Sequence, residues 1–188
     1  MIVIGNGTSR KKINLNNRSQ KKIGCNAVFR DTKVDYLVCC DKRMVTQALN
    51  YNQKNMYTRQ RWHKDFRTED VNPLPDLPYK GKDKKDDPFH WGSGPYALLL
   101  GCQLDTEIEM YGFDLYGTKG LVNNLYSDTD GYSTSTSKAV DHSYWVYQIG
   151  KIIKLFPNIT FRIYNTHDWI LPKTWQLDNV LLDKVEHL

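Results

Sequence analysis

The sequence lacks any apolar segment long enough to cross a membrane. Hydrophobic residues make up 40% of its 188 residues, but no uncharged stretch approaches the roughly 18 residues that a transmembrane helix needs. The apolar start, Met1 to Gly5, is too short for a signal peptide, and the basic residues follow it rather than precede it. We therefore expect a soluble, cytoplasmic protein without an export signal.

Cysteine and histidine are scarce and are not spaced as metal ligands. The four cysteines form no C-x-x-C pair, and adjacent Cys39 and Cys40 would point to opposite faces of a strand. Four of the five histidines share no ligand spacing, so we expect reduced core thiols and no resident metal or cofactor; they are His63, His90, His167 and His187.

The excess of positive charge is small. Lysine and arginine number 26 against 21 acidic residues, a net charge of +5. This balance favours an anionic ligand but does not require nucleic acid, which we do not expect as a partner.

The hydrophobic pattern predicts one α/β domain over residues 1–188, with a mostly parallel sheet flanked by helices. Strands are predicted at 1–4, 22–26, 34–41, 107–112 and 158–164, and helices at 42–50, from Ser93, at 138–156 and at 178–188. Residues 52–90 carry four prolines and predict a loop excursion with a possible strand near 56–62. Residues 117–141, rich in Gly, Ser, Thr, Asn and Asp, predict an active-site lid.

A glycine-rich loop follows the first predicted strand, with the sequence Gly5-Asn6-Gly7-Thr8-Ser9. Its backbone N–H groups and hydroxyls are suited to a phosphate. No Gly-Lys-Ser/Thr follows, so it is not a Walker A loop, and Arg10 stands where a dinucleotide motif has its third glycine. An ordinary β-turn is the alternative.

Three further features have both a functional and a structural interpretation. Ser93-Gly94 opens a predicted helix, where it could bind an anion or simply cap the helix N-terminus. His142, beside Asp141, follows the lid and is a candidate general base or a structural histidine. Asp128-Thr129-Asp130 has the D-x-D spacing of metal-dependent glycosyltransferases but also suits a turn.

Polar residues end four of the predicted strands, namely Asn6, Asn26, Asp41 and Asp114. Because ligands of open parallel sheets bind outside the carboxyl ends of the strands, we expect these residues to share one rim.

In this order the motifs resemble those of the bacterial lipooligosaccharide sialyltransferases, which use CMP-sialic acid on a Rossmann-like domain. The loop Gly5–Ser9 is similar to that family's Gly-Asn-Gly-Pro-Ser, and Gly24-Cys25-Asn26 to its Arg-Cys-Asn. Gly92-Ser93-Gly94 and the run 108–116 resemble its central signature, and His142-Ser143 its His-Ser pair. The matches cover about residues 1–45 and 90–165.

The resemblance implies a role for each matching residue. Asn6 and Ser9 would contact phosphate and ribose, Asn26 with Ser93-Gly94 the cytidine, and His142 would be the general base. Tyr116 would donate to the leaving phosphate, and Tyr126 would be a second phosphate-binding tyrosine. The predicted nucleotide-contacting set is Gly5, Asn6, Gly7, Thr8, Ser9, Asn26, Asp41, Ser93 and Gly94.

Three positions depart from the family pattern. Thr8 replaces a proline, Asp41 an asparagine and His90 an active-site arginine. Asp41 would repel a phosphate, and without the arginine a fixed positive charge is missing for a sugar carboxylate. These departures argue against sialic acid as the donor sugar.

The sequence thus predicts a metal-independent, inverting glycosyltransferase-like enzyme that uses a nucleotide sugar, CMP-linked, and a hydroxyl acceptor. One alternative is a Mg²⁺-dependent pyrophosphokinase-like enzyme that uses ATP, with metal ligands among Asp41, Asp114, Asp128 and Asp130. Another is a non-catalytic nucleotide-binding domain.

Overall fold

A computed structural model describes residues 1–185 and shows a single eight-stranded, all-parallel sheet with helices packed against it. The strands are β1 (Ile2–Ile4), β2 (Lys22–Cys25), β3 (Tyr36–Val38), β4 (Met56–Thr58), β5 (Val71–Pro73), β6 (Glu107–Tyr111), β7 (Thr160–Thr166) and β8 (Val180–Val185). The helices are α1 (Lys42–Asn50), α2 (Gln60–His63), α3 (Ser93–Leu104) and α4 (Ser143–Leu155), with short 3-10 turns between elements. The predicted Rossmann-like α/β fold is confirmed.

Strand order across the sheet is β5-β4-β3-β2-β1-β6-β7-β8. The chain builds outward from β1 through β2 to β5, then returns to the other side of β1 with β6. The direction of winding therefore reverses between β1 and β6, where a crevice opens at the carboxyl ends of the strands.

The two faces of the sheet have separate cores, which explains why β1 is apolar at every position. Val3 packs in the cluster that contains α3 and α4, whereas Ile2 and Ile4 pack in the cluster that contains α1. Alternate side chains of a strand point to opposite faces, so a strand buried on both faces has no polar side.

The segment 52–90 is not only a loop. It supplies β4, inside the predicted possible strand, and also β5, which was not predicted. Each has three residues, too few for a pattern of alternation, and Pro73 ends β5 at the edge of the sheet, where proline is tolerated.

The helix predicted at 178–188 is wrong, because Val180–Val185 forms β8 beside β7. Its Val and Leu residues suit a strand once β7 offers an edge to pair with. Asn179, just before β8, fixes the path of the chain into this strand by donating to the carbonyls of Ile153, Phe156 and Ile159. The last three positions of the predicted helix, 186–188, lie outside the described residues.

The cysteines are free thiols, as predicted. Cys39 and Cys40 follow β3, which ends at Val38, and pack against different core clusters. Between residues 1 and 185, no helix is long and apolar enough to cross a membrane.

Candidate functional site

A small cavity of about 180 Å³ lies at the reversal of winding between β1 and β6. The loop after β1, the end of β2 and the residues after β6 form its floor, and Gly94 at the start of α3 opens into it. Of the four strand-end residues predicted to share one rim, Asn6, Asn26 and Asp114 line this cavity, and Asp41 does not. A cavity this small fits a ring rather than a whole ligand, since typical pockets measure roughly 300–1,000 Å³.

The walls of the small cavity combine rings and amides. Phe113, Tyr132 and Trp145 supply aromatic surface, and four asparagines supply amide groups. An amide offers both a donor and an acceptor, which is the pattern on the edge of a nucleobase. The four are Asn6, Asn26, Asn123 and Asn124.

The hydrogen-bonding groups of the Gly5–Ser9 loop are largely used inside the protein. Ser9 donates its backbone N–H to the Asp114 carboxylate at 2.9 Å and its hydroxyl to the other carboxylate oxygen. The Gly7 N–H donates to the Gly112 carbonyl at 2.9 Å, and the Thr8 N–H to Asn123 Oδ1 at 3.1 Å. A carboxylate, a backbone carbonyl and an amide oxygen of the protein thus occupy donors that the sequence assigned to a phosphate.

Two glycines of this loop are needed for packing within the protein. A Cβ on Gly5 would lie 2.4 Å from the Gly112 carbonyl oxygen, and one on Gly7 would lie 2.3 Å from the Asp114 carboxylate. Gly112 itself has φ +70°, a conformation that glycine adopts without strain. These glycines therefore allow the loop after β1 to pack closely against the residues after β6, and not only the approach of a ligand to the loop.

Arg10 turns beneath the loop and into the protein. Its Nε donates to the Gly5 carbonyl at 2.8 Å, and its guanidinium meets the Tyr126 hydroxyl and, at 3.5 Å, the Asp31 carboxylate. Tyr126 also donates to Asp31 at 3.1 Å and is buried in the α1-side core. The structure therefore does not bring Tyr126 to the cavity.

Ser93 and Asn26 form a polar link between α3 and the sheet. The Ser93 hydroxyl donates to Asn26 Oδ1 at 2.7 Å and accepts from the Cys40 N–H at 2.9 Å. Asn26 has φ +50°, which asparagine tolerates better than most residues. Of the predicted Ser93-Gly94 pair, Gly94 lines the cavity. Ser93 does not line it and instead connects α3 to the sheet beside it.

Tyr132 is a site residue that the sequence analysis missed. Its hydroxyl accepts from Asn6 Nδ2 at 3.0 Å and from the Ala27 N–H at 3.2 Å. Burial raises the pKa of Tyr132, so its hydroxyl stays protonated at neutral pH. No local motif marks this tyrosine, because only the fold of segment 117–141 carries it to the loop.

Segment 117–141 lies over the carboxyl ends of the strands and is tied down at several points. The Leu125 N–H donates to the Asn6 carbonyl at 2.8 Å, and Arg30 donates to Thr129 Oγ1 at 2.8 Å and to the Asp130 carbonyl at 2.7 Å. Asn123, Asn124 and Tyr132 of this segment line the small cavity.

A larger cavity of about 730 Å³ adjoins the small one, and Asp114 and Asn123 line both. Tyr116 lines the larger cavity, and its hydroxyl donates to the Ile170 carbonyl at 3.3 Å. Burial raises the pKa of Tyr116, which keeps its hydroxyl a donor. His142 meets Tyr116 edge-on, with ring centroids 4.7 Å apart.

Several predicted site residues have other partners. Asp41 caps α1 by accepting from the Arg43 N–H at 2.8 Å, and Asp141 accepts from the N–H and the hydroxyl of Ser143 at the start of α4. Hydrogen bonds from Ser143 lower the pKa of Asp141. His90, in place of the family's arginine, packs edge-on against Phe89 and Tyr144 and lines neither cavity.

The acidic residues considered as metal ligands are dispersed. Asp128 accepts from the Ser135 N–H, Asp130 from Gln47, and Asp114 from Ser9. In the described part of the chain, residues 1–185, no three His, Cys, Asp or Glu side chains gather in a way that could hold a metal ion.

No family model, no curated protein and no solved structure matches this chain.

Proposed function

We propose that the protein transfers a sugar from a cytidine-type nucleotide donor to a hydroxyl acceptor. The observation that carries the proposal is the amide-lined, aromatic-walled cavity at the reversal of winding, directly beside a larger polar cavity. In open parallel sheets this is the position at which nucleotides bind. A pyrimidine ring suits its small volume.

In this proposal the phosphate lies near Gly94 rather than on the Gly5–Ser9 loop. The first N–H groups of a helix have no partner within the helix, and the helix dipole favours an anion there. Gly94 lines the small cavity at the start of α3. Asp114 already occupies the donors of Ser9, so the loop has less to offer a phosphate.

The proposed reaction is a direct displacement. The acceptor oxygen forms a bond to the anomeric carbon as the bond from that carbon to the phosphate oxygen breaks. His142 takes the acceptor proton, and the nucleoside monophosphate leaves with the bonding electron pair. Tyr116 turns its one hydroxyl proton from the Ile170 carbonyl to the leaving phosphate. Contact between the rings of His142 and Tyr116 supports placing both roles at one point.

Turnover of CMP-linked sugars with a panel of hydroxyl acceptors tests the proposal. The variant His142→Ala is expected to lose about 10²–10⁴-fold in kcat, the usual contribution of a general base. His63→Ala, on α2, is the matched control and should keep wild-type turnover. Equal turnover by His142→Ala and wild type would rule out the base assignment.

A non-catalytic nucleotide-binding domain is the second candidate, favoured by the internal use of the loop donors by Asp114 and Asn123. Binding of CMP without consumption of any CMP-linked sugar, across the whole acceptor panel, would select it.

A further inference from the structure

The guanidinium of Arg30 joins three parts of the chain. Arg30 ends the 3-10 turn that follows β2. Its Nη1 donates to Thr129 Oγ1 at 2.8 Å and its Nη2 to the Asp130 carbonyl at 2.7 Å, both in segment 117–141. Its Nε donates to Gln47 Oε1 on α1 at 3.1 Å. Because a guanidinium is planar and its donors form a rigid fork, these contacts fix the three parts in one geometry.

The same guanidinium lies over two tyrosine rings of that segment. Its carbon atom is 5.8 Å from the centre of the Tyr126 ring and 5.7 Å from that of the Tyr132 ring, and the two ring centres are 5.6 Å apart. A cation within about 6 Å of a ring centroid is attracted to the ring. Arg30 therefore helps to fix the ring of Tyr132, whose hydroxyl accepts from the Asn6 amide and the Ala27 N–H.

The carboxylates beside Arg30 have other donors. The Asp130 carboxylate accepts from Gln47 Nε2 at 3.1 Å. Asp31, the next residue in the chain, is paired with Arg10 at 3.5 Å. Arg30 is thus held by neutral acceptors and aromatic rings, and its contacts depend on the shape of the guanidinium as well as on its charge.

The orientation of the Asn6 amide decides what it can recognise in the small cavity, which it lines. Its nitrogen donates to Tyr132, and its oxygen accepts from the Cys25 thiol at 3.8 Å. Cytosine and uracil differ at one position of the ring edge, where cytosine has an amino donor and uracil a carbonyl acceptor. A fixed amide distinguishes a donor from an acceptor, whereas an amide that is free to turn over can pair with either.

We propose that Arg30 is a positioning residue that, through Tyr132, fixes the Asn6 amide and so sets the preference of the small cavity for cytosine over uracil. The inference rests on the proposed function, since it requires a pyrimidine ring in that cavity. It goes further by assigning base discrimination to a residue that does not line the cavity.

Calorimetric titration of CMP and UMP into the wild type and Arg30→Gln tests the proposal. The wild type is expected to prefer CMP at least about tenfold. In Arg30→Gln the preference should fall by about threefold or more, because the released amide can pair with either base. Arg67→Gln, at an exposed arginine before β5, is the matched control and should keep the wild-type preference. A general loss of structure would weaken both nucleotides alike, so an unchanged ratio in Arg30→Gln would overturn the proposal.

A double-mutant cycle shows whether Arg30 acts through Tyr132. If it does, the losses of CMP affinity in Arg30→Gln and Tyr132→Phe should not add, and the double variant should bind CMP about as tightly as the weaker single variant. Arg30→Lys keeps the charge but loses the fork, and it serves as the second variant if Arg30→Gln does not fold. Additive losses, or the wild-type preference in Arg30→Lys, contradict the assignment.

Hydrogen exchange of the Ala27 amide, measured without nucleotide, separates this proposal from the proposed function. The Ala27 N–H donates to Tyr132, so it should exchange at least about tenfold faster in Arg30→Gln than in the wild type. If it does and the wild type binds no nucleotide, the nucleotide proposal is wrong and the positioning by Arg30 stands. If the wild type prefers CMP and Arg30→Gln matches it in exchange and in preference, the role of Arg30 is wrong and the nucleotide site stands.

Discussion

The carboxylate of Asp114 accepts both the backbone N–H and the hydroxyl of Ser9, and thereby holds the loop after β1 against the residues after β6. The loops that follow the paired strands β1 and β6 are thus joined by two hydrogen bonds to one carboxylate. The same carboxylate lies at the boundary of the two cavities. Loop conformation, cavity shape and local charge therefore depend on one side chain.

Gly7→Ala is expected to lower the free energy of unfolding by about 1–3 kcal/mol, because the new methyl group would overlap the Asp114 carboxylate. Denaturant unfolding measures the loss. In an Asp114→Ala background the same substitution should cost much less. Equal costs in both backgrounds would show that the strain has another origin.

Gly94→Ala should raise the stability of the protein and weaken its binding of CMP. Its Cβ would make an ordinary contact with Phe113 at 3.5 Å, so the helix gains up to about 1 kcal/mol from the replaced glycine. The same methyl group narrows the small cavity and should weaken CMP binding. Thermal unfolding and calorimetric titration measure the two effects, and CMP affinity equal to wild type would place the nucleotide elsewhere.

Tyr132→Phe removes the acceptor shared by Asn6 and Ala27. The unpaired Ala27 N–H should cost about 1–3 kcal/mol of stability, and the released Asn6 amide should reduce CMP affinity. Tyr51→Phe, at a tyrosine that is 60% exposed, is the matched control and should change neither quantity. If the two variants behave alike, Tyr132 does not position Asn6.

The thiols of the folded protein should react slowly with a disulfide reagent at pH 8. Burial raises the pKa of Cys25 and of Cys102 to about 12, and it also raises the pKa values of Cys39 and Cys40. Thiolate is the reactive form, so little of it is present until the protein unfolds. Fast reaction of several thiols without denaturant would contradict the burial.

The central part of the sheet could be predicted because β1 and β3 are short apolar runs, and because a glycine or a polar residue follows β1 and β2. Helix α1 matches the predicted span 42–50 because its apolar positions recur at helical spacing. β5 and β8 were not predicted, since each lies at an edge of the sheet and becomes a strand only by pairing with the strand before it.

At the candidate site, local sequence located the strand-end residues but not their partners. Of the four residues predicted to share the carboxyl rim, Asn6, Asn26 and Asp114 line one cavity, whereas Asp41 caps α1. The partners of Tyr126, and the arrival of Tyr132 beside Asn6, depend on how segment 117–141 folds back over that rim. No spacing rule within the chain encodes those contacts.

Calorimetric titration of nucleotides into the wild-type protein tests the central claim most directly. The titrations are made with and without Mg²⁺. The account predicts one saturable site that binds CMP at least about tenfold more tightly than UMP, AMP, GMP or ATP, a difference in binding free energy of about 1.4 kcal/mol. CMP binding should not require the metal. Preferential, Mg²⁺-dependent binding of ATP, or no binding of any nucleotide, would contradict it.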